Sequence, residues 1–162
     1  MKRGFTLIEL LVVISIIGIL AGLTLTGFST ARKNARDTER KSDLGQYRVA
    51  LEAYSASTGG IYPFNVCPPT ITTCSGNSYL GSGIFTGDAN SPIVPEYLPA
   101  HITDPTNDAS YNYVYYQDSA VGLGYKLRAL LETGGYWVIC SSGKAGKLLT
   151  VPTANSTCDP AL

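Results

Sequence analysis

One carboxylate and four thiols are the side chains of this sequence whose placement calls for chemistry. Glu9 is the single ionisable residue in the run FTLIELLVVISIIGILAGLTLTGF, from Phe5 to Phe28. A charge within hydrocarbon costs about 2.5 to 3.5 kcal/mol even on lenient insertion scales, so a carboxylate there needs a cation or a set of donors. Cys67, Cys74, Cys140 and Cys158 are an even set, all in the later part of the chain, which suits disulfides formed in an oxidising compartment. A local Cys67 to Cys74 bridge is the simplest pairing, although four cysteines allow three connectivities. Cys140 and Cys158 are placed to close a loop of about 17 residues, which contributes roughly 3 kcal/mol in the chain-entropy model. The one histidine, His101, lies in a proline-rich stretch with no nucleophile beside it. The residues therefore assemble no catalytic set, and they imply no cofactor.

The elements that position these groups begin with the apolar run itself. It is 24 residues long, and about 20 apolar residues rising about 1.5 Å each suffice to cross a bilayer. The run is too long for the apolar region of a secretory signal peptide. Residues 5–28 are expected to be a single transmembrane helix. Basic residues flank both ends, Lys2 and Arg3 before it and Arg32, Lys33, Arg36, Arg40 and Lys41 after it. Counting cations alone puts the C-terminal side in the cytoplasm, whereas the cysteines put it outside. The cysteines outweigh the count, so the N-terminus is read as cytoplasmic and the remainder as exported. The 162 residues bound the rest to one domain, and zero formal charge with only 15% charged residues advertises no nucleic-acid partner.

Beyond Phe28 the pattern stays helical and becomes amphipathic. Residues 29–58 contain no proline, and Leu44, Tyr47, Leu51 and Tyr54 recur at three- and four-residue spacing, the mark of one buried stripe. Arg32 to Asp43 is charged on most faces, with Arg36 and Arg40 beside Asp37 and Glu39. Interspersed acids make this a solvated face or a subunit contact rather than a DNA-binding surface. One helix from Phe5 to about Ser57 would be roughly 80 Å long. Within its apolar half, Gly18 and Gly22 form a G-x-x-x-G and Gly27 follows. These glycines permit close helix packing, and glycine is also an ordinary resident of membrane helices.

Gly59, Gly60 and Pro63 end the helix, and residues 59–162 are expected to form a globular head. Residues 59–110 are rich in proline and lack periodicity, so they read as an ordered loop region. Three runs within 111–141 read as strands, namely 111–116 (YNYVYY), 124–132 and 135–141 (GYWVICS), separated by turn residues and giving an antiparallel meander. Its apolar face is expected to pack on the Leu44 to Tyr54 stripe, an α+β architecture. Residues 142–162 read as a polar tail pinned by disulfide. The 11 tyrosines fit aromatic packing rather than electron transfer. Asn155, Ser156 and Thr157 match a weak glycosylation pattern.

Gly4, Phe5, Thr6, Leu7, Ile8, Glu9 and the apolar residues behind them resemble the class III leader and N-terminal helix of type IV pilins and type II secretion pseudopilins. The resemblance implies that residues 1–4 are a leader, that the Gly4 to Phe5 bond is cut by a prepilin peptidase, and that the new Phe5 amine is N-methylated. It implies a homo-oligomeric helical filament built through the helix, with an assembly platform protein, an assembly ATPase and the inner membrane as further partners. The subunit would be stored in that membrane and end in an extracellular filament. Glu9 lies one helical turn from the Phe5 amine, and pairing the two in a low-dielectric core removes much of the cost of burying either. It could instead reach the amine of a neighbouring subunit, or only cap its own helix. Where many members carry a proline about four residues past Gly22, this chain has Thr26, so any local unwinding would rest on Gly18, Gly22 and Gly27. The segment from Pro95 to Pro99, with Asp104 and Pro105, resembles the stretch before the sheet in pseudopilins. Some of those relatives bind calcium nearby, but here Asp104, Asn107, Asp108 and Asp118 read as turn residues, and no metal is expected. A structural pilus subunit is the leading expectation. A secretion or competence pseudopilin is the near alternative, and a membrane-tethered extracellular binding module is the alternative of another class.

Overall fold

The computed structural model describes residues 4–63, 78–79, 92–106, 108, 110–117 and 122–151, with the side chains of 23–27 and 78–79 outside that description. The chain divides into two compact units, Met1–Ala35 and Arg36–Leu162.

Helix α1 runs over Leu7–Ser57, 51 residues. Its start is written in a capping box. Thr6 precedes the first turn and Glu9 stands three residues on, so the hydroxyl and the carboxylate satisfy backbone groups left open at a helix start. Glu9 Oε2 accepts from both the Thr6 backbone N–H and the Thr6 hydroxyl at 2.8 Å, and the Glu9 N–H donates back to Thr6 Oγ1 at 3.4 Å. The other end closes as Gly59 and Gly60 anticipate. Both take positive φ, 76° and 92°, and the Gly60 N–H donates to the Ser55 carbonyl at 2.8 Å, the bond of a Schellman stop.

In the second unit, α1 lies against an antiparallel sheet. The strands are β1 (Ser78–Tyr79), β2 (Val114–Gln117), β3 (Tyr125–Leu130), β4 (Tyr136–Cys140) and β5 (Ala145–Leu148). They pair in sequence order, a four-stranded meander with the two-residue β1 along one edge. The register aligns Tyr115, Leu127, Ile139 and Ala145 across β2 to β5. Side chains alternate across a strand, so this row and its neighbours Tyr125 and Ala129 share one face. That face buries against Leu44, Tyr47, Ala50 and Leu51 of the helix, and Ile93, Val94 and Leu98 complete the core. The α+β fold and the helical stripe are as expected, with Tyr54 packed at the margin of the core.

Two expectations about the head require correction. Residues 142–162 are not wholly tail, because Ala145–Leu148 adds a fourth full strand that pairs with β4 from Tyr136↔Leu148 to Ile139↔Ala145. Its sequence AGKL offers neither β-branched residues nor aromatics, so the strand exists because β4 presents an edge and a tight turn returns the chain to it. That turn holds Gly143 at φ 85°, with the Cys140 N–H on the Lys144 carbonyl at 2.9 Å. The first expected strand also begins later than Tyr111, at Val114. The 59–110 region contains β1 as well as loop.

Candidate functional site

The N-terminal unit is an apolar helix. Every described side chain from Phe5 to Ala35 is exposed, including Phe5, Leu7 and Ile8 at 84%, 82% and 70%. A contiguous apolar surface of this extent marks a membrane or partner-binding element. A Cβ added at Gly18 or Gly22 would meet nothing within 4 Å among the described residues. The Gly27 position falls among the side chains outside the description. Ser15 returns its hydroxyl to the Leu11 carbonyl at 2.8 Å, a bond that hides its polarity along the apolar run. Among the described residues no helix stretch is long and apolar enough to cross a membrane. Described side chains of the apolar run break off at Gly22, so the expected 5–28 span is carried forward as a proposal.

Residues 1–25 match the family model for the prokaryotic N-terminal methylation motif. A probable minor fimbrial protein of Dichelobacter nodosus is 28% identical over 154 residues, 91% of each chain. Prepilin peptidase-dependent protein D of Escherichia coli strain K12 is 35% identical over 61% of this chain and 56% of its own length. The chain carries the prepilin methylation motif and is similar to type IV fimbrial proteins and to a prepilin peptidase-dependent protein. The type IV major pilin protein PilA of Myxococcus xanthus is 38% identical over 53 residues, 33% of this chain and 24% of that one. No solved structure gives a significant match. The Dichelobacter match, over 91% of this chain, takes in most of the head, whereas the Myxococcus match covers a third of the chain.

A network of buried charge fastens the head to its helix, and sequence reasoning missed it. Arg40 is fully buried. Its guanidinium donates to Asp104 through Nε at 2.7 Å and Nη2 at 3.0 Å, and through Nη1 to Asp37 at 2.8 Å and Glu132 at 3.0 Å. Arg36 forks onto both oxygens of Glu132 at 2.6 Å. Asp37 in turn accepts from the backbone N–H groups of Glu132 and Thr133 at 2.8 and 3.0 Å and from the Thr133 hydroxyl at 2.7 Å. One helical turn therefore binds the β3 to β4 turn and the 104–106 loop together.

The electrostatics follow from these contacts. Burial alone would raise the Asp37 and Asp104 carboxyls, but their hydrogen bonds, from Thr133 and the Glu132 N–H to Asp37 and from Arg40 and Thr106 to Asp104, hold both below the usual range. The Arg36 fork, with Arg40, holds Glu132 down to about 2. Asp43 differs. It is buried and accepts from the Tyr113 hydroxyl at 2.5 Å, and burial with the nearby Glu39 and Asp104 charges pushes its carboxyl up.

The expectation that the charged run from Arg32 to Asp43 is a solvated face or a subunit contact is corrected at three positions, since Asp37, Arg40 and Asp43 are buried. The available signal was spacing. Asp37 and Arg40 continue the three- and four-residue stripe of Leu44, Tyr47 and Leu51 toward the N-terminus. Tyrosine hydroxyls complete the seam. Tyr47 donates to the Ile102 carbonyl at 2.9 Å and accepts its N–H at 3.0 Å, and Glu52 accepts from Tyr62 and Tyr125 at 2.9 and 3.0 Å.

The remaining sequence candidates divide. Gly4 and Phe5 are exposed at the entry to the helix. Cys140 is buried and disulfide-bonded, while Cys67, Cys74 and Cys158 lie outside the described residues, as do Asn107 and Asp118. Asp104 is committed to Arg40 and Thr106. Asp108 accepts the Ser110 N–H at 2.9 Å, an ordinary Asx turn. His101 is half-buried in the loop.

Proposed function

We propose that this chain is a structural subunit of a type IV pilus-like filament, polymerised through its N-terminal helix, with the α+β head as filament surface. The observation that carries the reading is the uncovered apolar helix, whose first turn holds Glu9 beside Thr6. Cleavage after Gly4 leaves Phe5 as the terminus. An α-amino group ordinarily titrates at about 7.7 to 8.0, so this one is largely cationic near neutral pH. Glu9 then stands one turn away with a carboxylate already fixed by the Thr6 N–H and hydroxyl. In a bilayer or filament core it pairs with that amine, its own or a neighbouring subunit's. Residues 5–28 hold the subunit in the inner membrane before assembly, N-terminus cytoplasmic, and the head lies in the oxidising space where the cysteines pair. Prepilin peptidase, a platform protein and an assembly ATPase are the partners this route requires. A pseudopilin would share the helix, but the minor fimbrial relative matched over 91% of its length, head included, favours the pilus.

Intact-mass and N-terminal peptide mass spectrometry of sheared filaments and of membranes tests the proposal. A chain beginning at N-methylated Phe5 in the sheared fraction is the expected result. A chain beginning at Met1 and confined to membranes would replace it with a tethered binding module.

A further inference from the structure

We propose that Phe28, Arg32 and Lys33 form an anchor for the headgroups of anionic phospholipids at the C-terminal end of the apolar run, which rests on the membrane-storage reading above. After Glu9 the next charges in the chain are Arg32 and Lys33, and the next acid is Asp37. Both cations are exposed, and among the described residues neither pairs with a carboxylate. The next three cations in the chain are engaged within the head. Arg36 is bound to Glu132, Arg40 to Asp37, Asp104 and Glu132, and Lys41 Nζ lies 4.9 Å from the Trp137 ring centroid. The two cations nearest the apolar run are thus exposed and, among the described residues, without a carboxylate partner.

Their surroundings say which anion. The Arg32 guanidinium lies 4.3 Å from the centroid of the Phe28 ring, one turn earlier, and that ring is 58% exposed. An aromatic body capped by a charge on the adjoining turn is built for the boundary where hydrocarbon gives way to phosphate. The depth agrees, because the helix from Leu7 to Phe28, at about 1.5 Å per residue, spans about 33 Å against a hydrocarbon core of about 30 Å. A planar guanidinium takes phosphate oxygens in pairs, and Lys33 adds a point charge beside it. Continuity with the apolar run favours lipid phosphate over an acidic protein, which would leave Phe28 exposed to water. The basic flank, whose charge count runs against an exported head, thereby gains a use on the exported side.

Full-length protein reconstituted in phosphatidylcholine vesicles, doped with spin-labelled phosphatidylglycerol or spin-labelled phosphatidylcholine, provides the test. Spin resonance reads the fraction of each lipid held at the protein. A preference for phosphatidylglycerol is expected, about fivefold per cation and at most on the order of 30-fold for both, shrinking as salt is raised. R32Q/K33Q should abolish it, while K41Q/K147Q, which removes as much charge from the head, should preserve it. Equal lipid preference in the native chain and R32Q/K33Q, with both resisting alkaline extraction, would overturn the anchor and leave the membrane reading standing. Release of the native chain by alkaline carbonate would overturn both.

Discussion

Arg40 and Asp104, 64 residues apart, meet in a two-pronged ion pair at 2.7 and 3.0 Å with both side chains buried. The pair joins the helix to a loop that has no regular structure of its own. Removing one partner leaves the other charge buried and uncompensated, which costs on the order of 3 to 5 kcal/mol. Asp104→Ala and Arg40→Ala are each expected to lower head stability by about that much, and the double variant by less than their sum. Urea unfolding of the detergent-solubilised full chain, followed by Trp137 fluorescence, measures it. Additive losses would mean the two side chains are not coupled.

Acid should loosen the same seam. Asp37, Asp104 and Glu132 all have carboxyls held below their ordinary values. Such groups contribute stability that is present above the unfolded-state value and lost as pH falls through the folded-state one. For Glu132 that window runs from 4.5 down to about 2. Asp43 has the opposite sign, since its raised carboxyl contributes stability below its unfolded value that is lost as pH rises. The unfolding midpoint is expected to fall steadily below about pH 4.5, and Glu132→Gln should flatten that fall. An unchanged acid limb in Glu132→Gln would contradict the assignment.

The two glycines of the β3 to β4 turn should respond differently to alanine. Both have positive φ, 87° at Gly134 and 79° at Gly135, which costs a side chain roughly 1 to 2 kcal/mol. A Cβ at Gly134 meets nothing within 4 Å, whereas one at Gly135 comes within 2.5 Å of the Leu148 carbonyl oxygen. Gly134→Ala should therefore cost about 1 to 2 kcal/mol. Gly135→Ala should cost clearly more and disturb the β4 to β5 edge, read as faster amide exchange in Ala145–Leu148. Equal costs would show that the edge strand yields freely.

Tyr113→Phe should destabilise the head by about 1 to 3 kcal/mol at pH 7, because the buried Asp43 carboxylate loses its hydroxyl donor. Asp43→Asn retains an acceptor, so it should be milder. Thermal unfolding of both variants at one pH decides the order.

Glu9→Gln should leave cleavage after Gly4 intact while reducing incorporation into sheared filaments on the order of tenfold or more, the factor that about 1.4 kcal/mol of lost pairing produces. Thr6→Ala, which removes only the capping hydroxyl, should have a smaller effect. Quantitative blotting of the sheared and membrane fractions separates processing from assembly. Normal filament yield from Glu9→Gln would remove the charge-pairing step.

How much was legible depended on how local the cause was. The helix start at Thr6 and Glu9, its stop at Gly59 and Gly60, and the stripe of Leu44, Tyr47 and Leu51 are set by neighbours within a turn or two, so spacing alone reveals them. β3, an alternation of Tyr125, Leu127 and Ala129, and β4, an aromatic and β-branched run, lie between turn residues and are equally plain. β5 is not, because AGKL becomes a strand only when β4 supplies the partner. The polarity of Asp37, Arg40 and Asp43 reads as solvent exposure until their mates, 64 or more residues away, are known.

The sequence by itself determined the apolar helix with its lone carboxylate and the motif at its start, since each rests on residue type and short-range spacing. Tertiary structure decided which charges are buried and which remain for a partner. Asp104 and Glu132 reach Arg40 only after the meander and its loop fold back on the helix. Burial and pairing of charge arise between distant segments, and no local pattern encodes them.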